Sequence, residues 1–332
     1  MALRGWRSRI PWPVLRALCS GGALLWIMHA TPVALIAATL REAEPGWLLL
    51  GVAFGLLTRF AAAERTLVIS RALGLGVSRR QTVETLFISN YYSLLSPGPV
   101  LSGVVSVYRY RGYGASVTAS MSTLLASRAI EAATFITLGA ACLVADQRVA
   151  LAPLRYPLLV AGAAVLLIAV CLIGWSLLHR RQSATAGGGH SMRSSQDGLR
   201  ERLLAVWHDL VRQGPRMALQ AAIPASAQVI LSGAALCFLA RALGVELTLL
   251  TSVWMSAAVY VVVLLPISVA GLGVRDLTLI RSLALLGVSA PVAVALSVLL
   301  LTDPLLNALI GGIWQMSATL GNSRKLRVTQ PP

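Results

Sequence analysis

Arg59, Arg128, Glu131, Arg275, Asp276 and Asp303 stand in stretches of sequence that are otherwise apolar, as do Glu64, Arg65 and Arg281. A charge at the centre of a bilayer costs roughly 2.5–3.5 kcal/mol even on lenient scales, so each of these residues needs a reason. Their types point to anion binding. A guanidinium group is a planar fork of donors that fits phosphate oxygens, and Arg128, Arg275 and Arg59 are the candidate ligands of a phosphate-bearing head group. Glu131, Asp276 and Asp303 are the candidates for balancing or gating that charge. The competing reading is purely structural: Arg128 pairs with Glu131 one turn away, and Arg275 pairs with Asp276 or Asp303. Glu64 and Arg65 approach the inner end of their span, where pairing or an interfacial position is expected. The residues for bond-making chemistry are missing. His29, His179, His190 and His208 form no triad and no metal-ligand pattern, and there is no Walker loop or dinucleotide fingerprint. Neither an enzyme, a metal nor a cofactor is expected.

The elements that hold these charges are membrane helices. Of 332 residues, 57% are hydrophobic and only 12% are charged, against about 25% charged in soluble domains. Runs long enough to cross a hydrocarbon core of ~30 Å recur at about 15–40, 46–70, 115–144, 157–178, 216–240 and 288–318. Period-two alternation is absent, so the runs are helical. The net charge of +16 resembles that of a nucleic-acid binder, but in a membrane protein it marks cytoplasmic loops rather than a nucleic-acid partner. Arg4, Arg7, Arg9 and Arg16 place the N-terminus inside. Cys19, Cys142, Cys171 and Cys237 lie singly in apolar stretches and are expected to be buried thiols.

Two apolar stretches are broken. The first, 82–111, carries Ser96-Pro97-Gly98-Pro99 and then Gly103; the second, 250–286, carries Pro266, Ser268, Gly271 and Gly273. Proline pushes its predecessor out of the helix and glycine lets the chain reverse. The count of arginines favours hairpins that enter and return on the same side. The basic loop 179–216 and the C-terminal Arg324, Lys325 and Arg327 then all fall on the cytoplasmic face. Arg71-Ala-Leu-Gly74 recurs as Arg241-Ala-Leu-Gly244, and Pro97 and Pro266 follow these two glycines at almost the same spacing. The sequence thus predicts a single transmembrane domain over 1–332, all-α, with about six full spans plus two broken re-entrant helical hairpins in an inverted repeat. Repeat one covers about 46–144 and repeat two about 216–318. Inverted repeats with discontinuous helices are a recurring transporter design. Residues 182–198 read as a flexible cytoplasmic linker and 199–213 as an interfacial amphipathic helix. Ser89, Asn90, Tyr91, Ser93, Ser96 and Ser102 surround the first break with polar groups that either line a pocket or satisfy the broken backbone.

At these motifs the chain resembles the transmembrane region of lysylphosphatidylglycerol synthases and their stand-alone flippase-like relatives, over about 40–320. Leu265–Asp276, LPISVAGLGVRD, is similar to that family's Leu-Pro-x-Ser-x-x-Gly-Leu-Gly-x-Arg-Glu signature, with Asp276 in the glutamate position. The first repeat keeps Pro97, Gly98, Gly103 and Arg109 but lacks the family's acidic residue. Ser127-Arg128 stands where relatives carry Asp-Arg. The resemblance implies translocation of a phospholipid or lipid-linked precursor across the plasma membrane, with both termini cytoplasmic and membrane lipids as partners. Two alternatives remain: a non-transporting accessory subunit of an envelope-synthesis enzyme, and an ion-coupled carrier of a small anion. In a cysteine-free background, a His190→Cys variant is expected to react with impermeant maleimide only from the cytoplasmic side.

Overall fold

The computed structural model describes residues 33–95, 100–146, 197–264 and 273–328. These residues are all-helical, without a strand among them. They form α1 (Val33–Arg41), α2 (Pro45–Ala72), α3 (Arg79–Leu95), α4 (Val100–Gly112), α5 (Val117–Ala145), α6 (Asp197–Ala242), α7 (Leu249–Leu264), α8 (Val274–Ala284), α9 (Ala290–Leu299) and α10 (Thr302–Val328). Four stretches are long and apolar enough to cross a membrane: Pro45–Ala72, Val117–Ala145, Arg216–Ala242 and Ala290–Ser317. The protein is a multi-pass membrane protein. The spans expected at 15–40, apart from α1, and at 157–178 lie outside the described residues, as do Pro97, Gly98, Pro266, Ser268 and Gly271.

The turns repeat more closely than the sequence does. Gly74 and Gly244 both have φ of 74°. In each case the glycine N–H bonds back to an arginine carbonyl, Arg71 or Arg241, and the next residue bonds five positions back. This double closure is the Schellman cap, which glycine alone enters without strain. Gly114 and Gly287 close α4 and α8 in the same way, and Ser116 and Ser289 follow as the N-caps of α5 and α9. The two units therefore match from α2 through α5 and from the apolar half of α6 through α10.

Their first spans run in opposite directions. Near one end of the pair, Glu44 donates its backbone N–H to the Ala242 carbonyl and the Trp47 and Phe238 rings stack. Near the other end, Ile69 packs on Met217 and Ala221. Equivalent helices packed antiparallel are the geometry of repeats inverted relative to each other. The units also interlock: α3 packs on α10, and α7 packs on α5.

Between its first and last span, each unit inserts two short helices. In the first, Ser89 and Ser106 share a hydrogen bond of 2.7 Å and Glu84 reaches Arg109 at 3.7 Å, so α3 and α4 run antiparallel. At ~1.5 Å per residue, the 17 residues of α3 and 13 of α4 extend about 26 and 20 Å, short of a ~30 Å core. The 16 residues of α7 and 11 of α8 are shorter still. Gly103 sits inside the first turn of α4 rather than at the break.

Two local expectations are corrected. Asp197–Ala242 is one continuous 46-residue helix, so the last two residues of the predicted linker are helical. The predicted amphipathic helix at 199–213 joins the span directly, despite Gly214-Pro215. A proline is tolerated where neighbouring helices and side chains can satisfy the one carbonyl it orphans.

Lipid is as apolar as leucine, so helix association here depends on close packing at small residues. A Cβ added at Gly311 would strike the Phe87 backbone carbonyl, at Gly139 the Ala257 side chain, and at Gly233 the Val253 side chain. Gly311→Ala should therefore destabilise the α3–α10 contact by about 1–3 kcal/mol. Gly103→Ala, whose Cβ meets nothing within 4 Å, should be neutral or gain up to ~1 kcal/mol from helix propensity. Tryptophan-fluorescence melts in detergent will separate the two variants.

Candidate functional site

The deepest polar cluster forms where α2, α5 and α6 meet. Glu131, on α5, is 6% exposed and Arg65, on α2, 4%. Glu131 Oε2 accepts from Arg128 Nη1 at 3.1 Å and faces Arg65 Nη2 at 3.3 Å. Its other oxygen, Oε1, accepts from Gln228 Nε2 of α6 at 2.8 Å. Arg65 also donates to the Gln228 amide oxygen and to Ser127 Oγ at 3.1 Å, while Thr66 and Ser127 hydroxyls lie 3.2 Å apart. One carboxylate thus serves two guanidinium groups. Tyr260 of α7 stacks on Phe135 at 4.2 Å, and its hydroxyl lies within electrostatic reach of Arg65, Arg128 and Glu131.

Arg128 differs from Arg65. It lies near the middle of a 29-residue span, yet 64% of its side chain is exposed, and the carboxylate oxygen it uses is shared. A guanidinium has five N–H donors, so Arg128 retains capacity for another acceptor.

A second cluster joins α2 to α10. Arg59 Nη2 donates to Asp303 Oδ2 at 2.5 Å, and Asn307 Nδ2 donates to Asp303 Oδ1 at 2.8 Å and to the Asp303 carbonyl at 2.7 Å. Two buried polar atoms here have no partner: Arg59 Nε and Asn307 Oδ1. The last span is interrupted at this point. α9 ends at Leu299 and α10 starts at Thr302, because Pro304 has no N–H to return to the Leu300 carbonyl. Arg59 is also within electrostatic reach of Glu131, so the two clusters form one polar region. It contains three guanidinium groups, from Arg59, Arg65 and Arg128, against two carboxylates, from Glu131 and Asp303.

Arg275 and Asp276 form a separate structure at the start of α8. Asp276 Oδ2 accepts the Gly273 N–H at 3.0 Å, which caps the helix at a glycine with φ of 85°. Its Oδ1 accepts from Arg275 Nε at 3.0 Å, from Arg275 Nη2 at 2.8 Å, and from Ser297 Oγ of α9 at 2.5 Å. Arg275 is thereby spent on its neighbour, and the pair fastens α8 to α9. Among the described hydrogen bonds and ion pairs, none joins it to Arg128 or Arg59.

Of the charge-bearing residues singled out in the sequence, the structure therefore brings Arg59, Arg128, Glu131 and Asp303 into one region and sets Arg275 and Asp276 apart. Pairing of Arg128 with Glu131 and of Arg275 with Asp276 follows the structural alternative. Glu64 and Arg65 both take the paired alternative: Arg65 turns inward to Glu131 at the centre of the network, while Glu64 reaches out to Arg79. Gln228 was missed; the available signal was a lone amide within the apolar run IPASAQVIL. Among the described residues, no three His, Cys, Asp or Glu gather in a way that could hold a metal ion.

An antiparallel pair of helical units with short inserted helices and a charged interior defines an all-α polytopic membrane protein built on an inverted repeat. The chain belongs to the family described as the lysylphosphatidylglycerol synthase TM region, which matches residues 14–300. No curated protein matches it.

Removing one partner from a buried ion pair leaves an uncompensated charge, which costs about 3–5 kcal/mol. Glu131→Ala should therefore lower the melting midpoint strongly. Arg128→Gln leaves Glu131 its contacts with Arg65 and Gln228, so the same detergent melts should show a smaller loss than for Glu131→Ala.

Proposed function

We infer that this protein moves a phosphate-bearing lipid or lipid-linked precursor between leaflets of the cell membrane, with both termini cytoplasmic. The observation that carries the reading is the excess guanidinium in mid-membrane. Arg128 shares its only carboxylate with Arg65 and keeps an open face half-way through a span. An uncompensated cation is costly there, and a phosphate group offsets that cost while forming charge-assisted hydrogen bonds. Arg59 is the second head-group ligand, with Asp303 as its resting counter-ion. Arg275 acts by holding α8 on α9. Family membership and the antiparallel units support the same reading. The chain performs no bond-making step in this scheme.

A non-transporting role, as accessory subunit to an envelope-synthesis enzyme, draws support from the pairing of Arg59, Arg65 and Arg275 with carboxylates. The two readings separate in proteoliposomes carrying fluorescent phosphatidylglycerol, with dithionite reporting leaflet exchange. Loss of a charge-assisted hydrogen bond costs about 1.5–3 kcal/mol, or roughly 10–100-fold. Arg128→Gln should slow exchange by that factor while eluting as a normal monodisperse peak. Wild-type vesicles that exchange no faster than empty ones, with a partner enzyme co-purifying, would favour the accessory role.

A further inference from the structure

We propose that Asp303 is a proton-binding site coupled to anion binding at Arg59. This rests on the reading of Arg59 as a head-group ligand, and it supplies what that reading lacks, a source of energy. The two groups compete for one partner. While Asp303 is ionised, its Oδ2 holds Arg59 Nη2 at 2.5 Å. An anion arriving at Arg59 meets a guanidinium whose charge the adjacent carboxylate already neutralises, and two negative charges then share one cation at a helix break in a membrane span. A proton taken from water neutralises that carboxylate and leaves Arg59 with a net charge of +1 for the anion. Proton and anion therefore bind together and leave together, one proton for each bound anion.

The surroundings serve both protonation states. Asn307 is fully buried; its Nδ2 donates to the carboxylate and its Oδ1 has no partner. When Asp303 gains a proton, a turn of the amide brings that oxygen round to accept the new O–H. The unpartnered Arg59 Nε is a donor in waiting for the anion. The Asp303 side chain is 24% exposed and has one arginine partner, whereas that of Glu131 is 7% exposed and held by two arginines and Gln228. The helices packed on α10 are α2 and α3. From α2 the charged group on Asp303 is Arg59; from α3, Tyr91 lies against Gly312. Glu64 is committed to Arg79, and Glu84 to Arg80 and Arg109.

Linkage makes the proposal measurable: anion affinity should rise by up to about tenfold for each unit fall in pH wherever binding takes up a full proton. Two readouts test it, using the full chain and vesicles of fluorescent phosphatidylglycerol in phosphatidylcholine. In weakly buffered detergent solution, phosphatidylglycerol should draw about one proton per bound lipid into the wild type and into Asp303→Glu, and none into Asp303→Asn. In proteoliposomes, an alkaline lumen should accelerate inward movement of the label severalfold for the wild type and Asp303→Glu, with a ratio of one for Asp303→Asn. Proton uptake without leaflet exchange would uphold the coupled site and overturn the transport reading. Exchange in the wild type without proton uptake or gradient response would overturn the coupled site alone, as would an unaltered response in a well-folded Asp303→Asn.

Discussion

The Glu131 carboxylate is the constraint around which the membrane-spanning helices are arranged. An ionised group buried in hydrocarbon is tolerable only when its partners arrive with correct geometry. Here they come from α2 (Arg65), from its own helix (Arg128) and from α6 (Gln228). Meeting that requirement fixes the rotation of three spans at once, because turning any of them about its axis withdraws a donor. The antiparallel packing of α2 on α6 through Gly51 and Leu239 allows the close approach that the bonds need.

That constraint also explains why the polar region is asymmetric although the backbone is a repeat. The helix caps recur in step, Gly74 with Gly244 and Gly114 with Gly287, in matching glycine conformations. The ionised side chains of the polar region do not recur. Arg65 and Glu131 have no charged equivalent at the corresponding positions of the second unit, and Asp303, at the interruption of the last span, has none in the unbroken α5. The scaffold is shared between the two units, and the chemistry was placed on it unevenly.

Much of this was legible in the sequence. The described spans follow from apolar length, the turns from Arg-Ala-Leu-Gly and its distant copy, and the pairing of Arg128 with Glu131 from their placing one turn apart on a helix. The pairing of Arg59 with Asp303 across 244 positions was not legible, since it depends on how two helices are rotated when they pack. The partner of Arg65 was not legible for the same reason. Distance from the end of a span gives depth in the membrane, but the direction of the side chain is set by the neighbours that receive it. The continuity of α6 through Gly214-Pro215 likewise reflects surrounding structure that overrides local breaking residues.

The interlocking of the two units has a consequence for biogenesis. The first hairpin packs on α10, yet the close contact there joins Phe87, in the first third of the chain, to Gly311, close to its end. At ~5–20 residues per second, a ribosome needs roughly ten to forty-five seconds to deliver the second partner after the first has emerged. Throughout that interval α3 and α4 have each other, through Ser89, Ser106, Glu84 and Arg109, and their neighbours α2 and α5, but not α10. A nascent hairpin too short to span the bilayer therefore leaves its α10-facing side uncovered until the last helix arrives, and an insertase that shelters it during synthesis would raise the yield of folded protein.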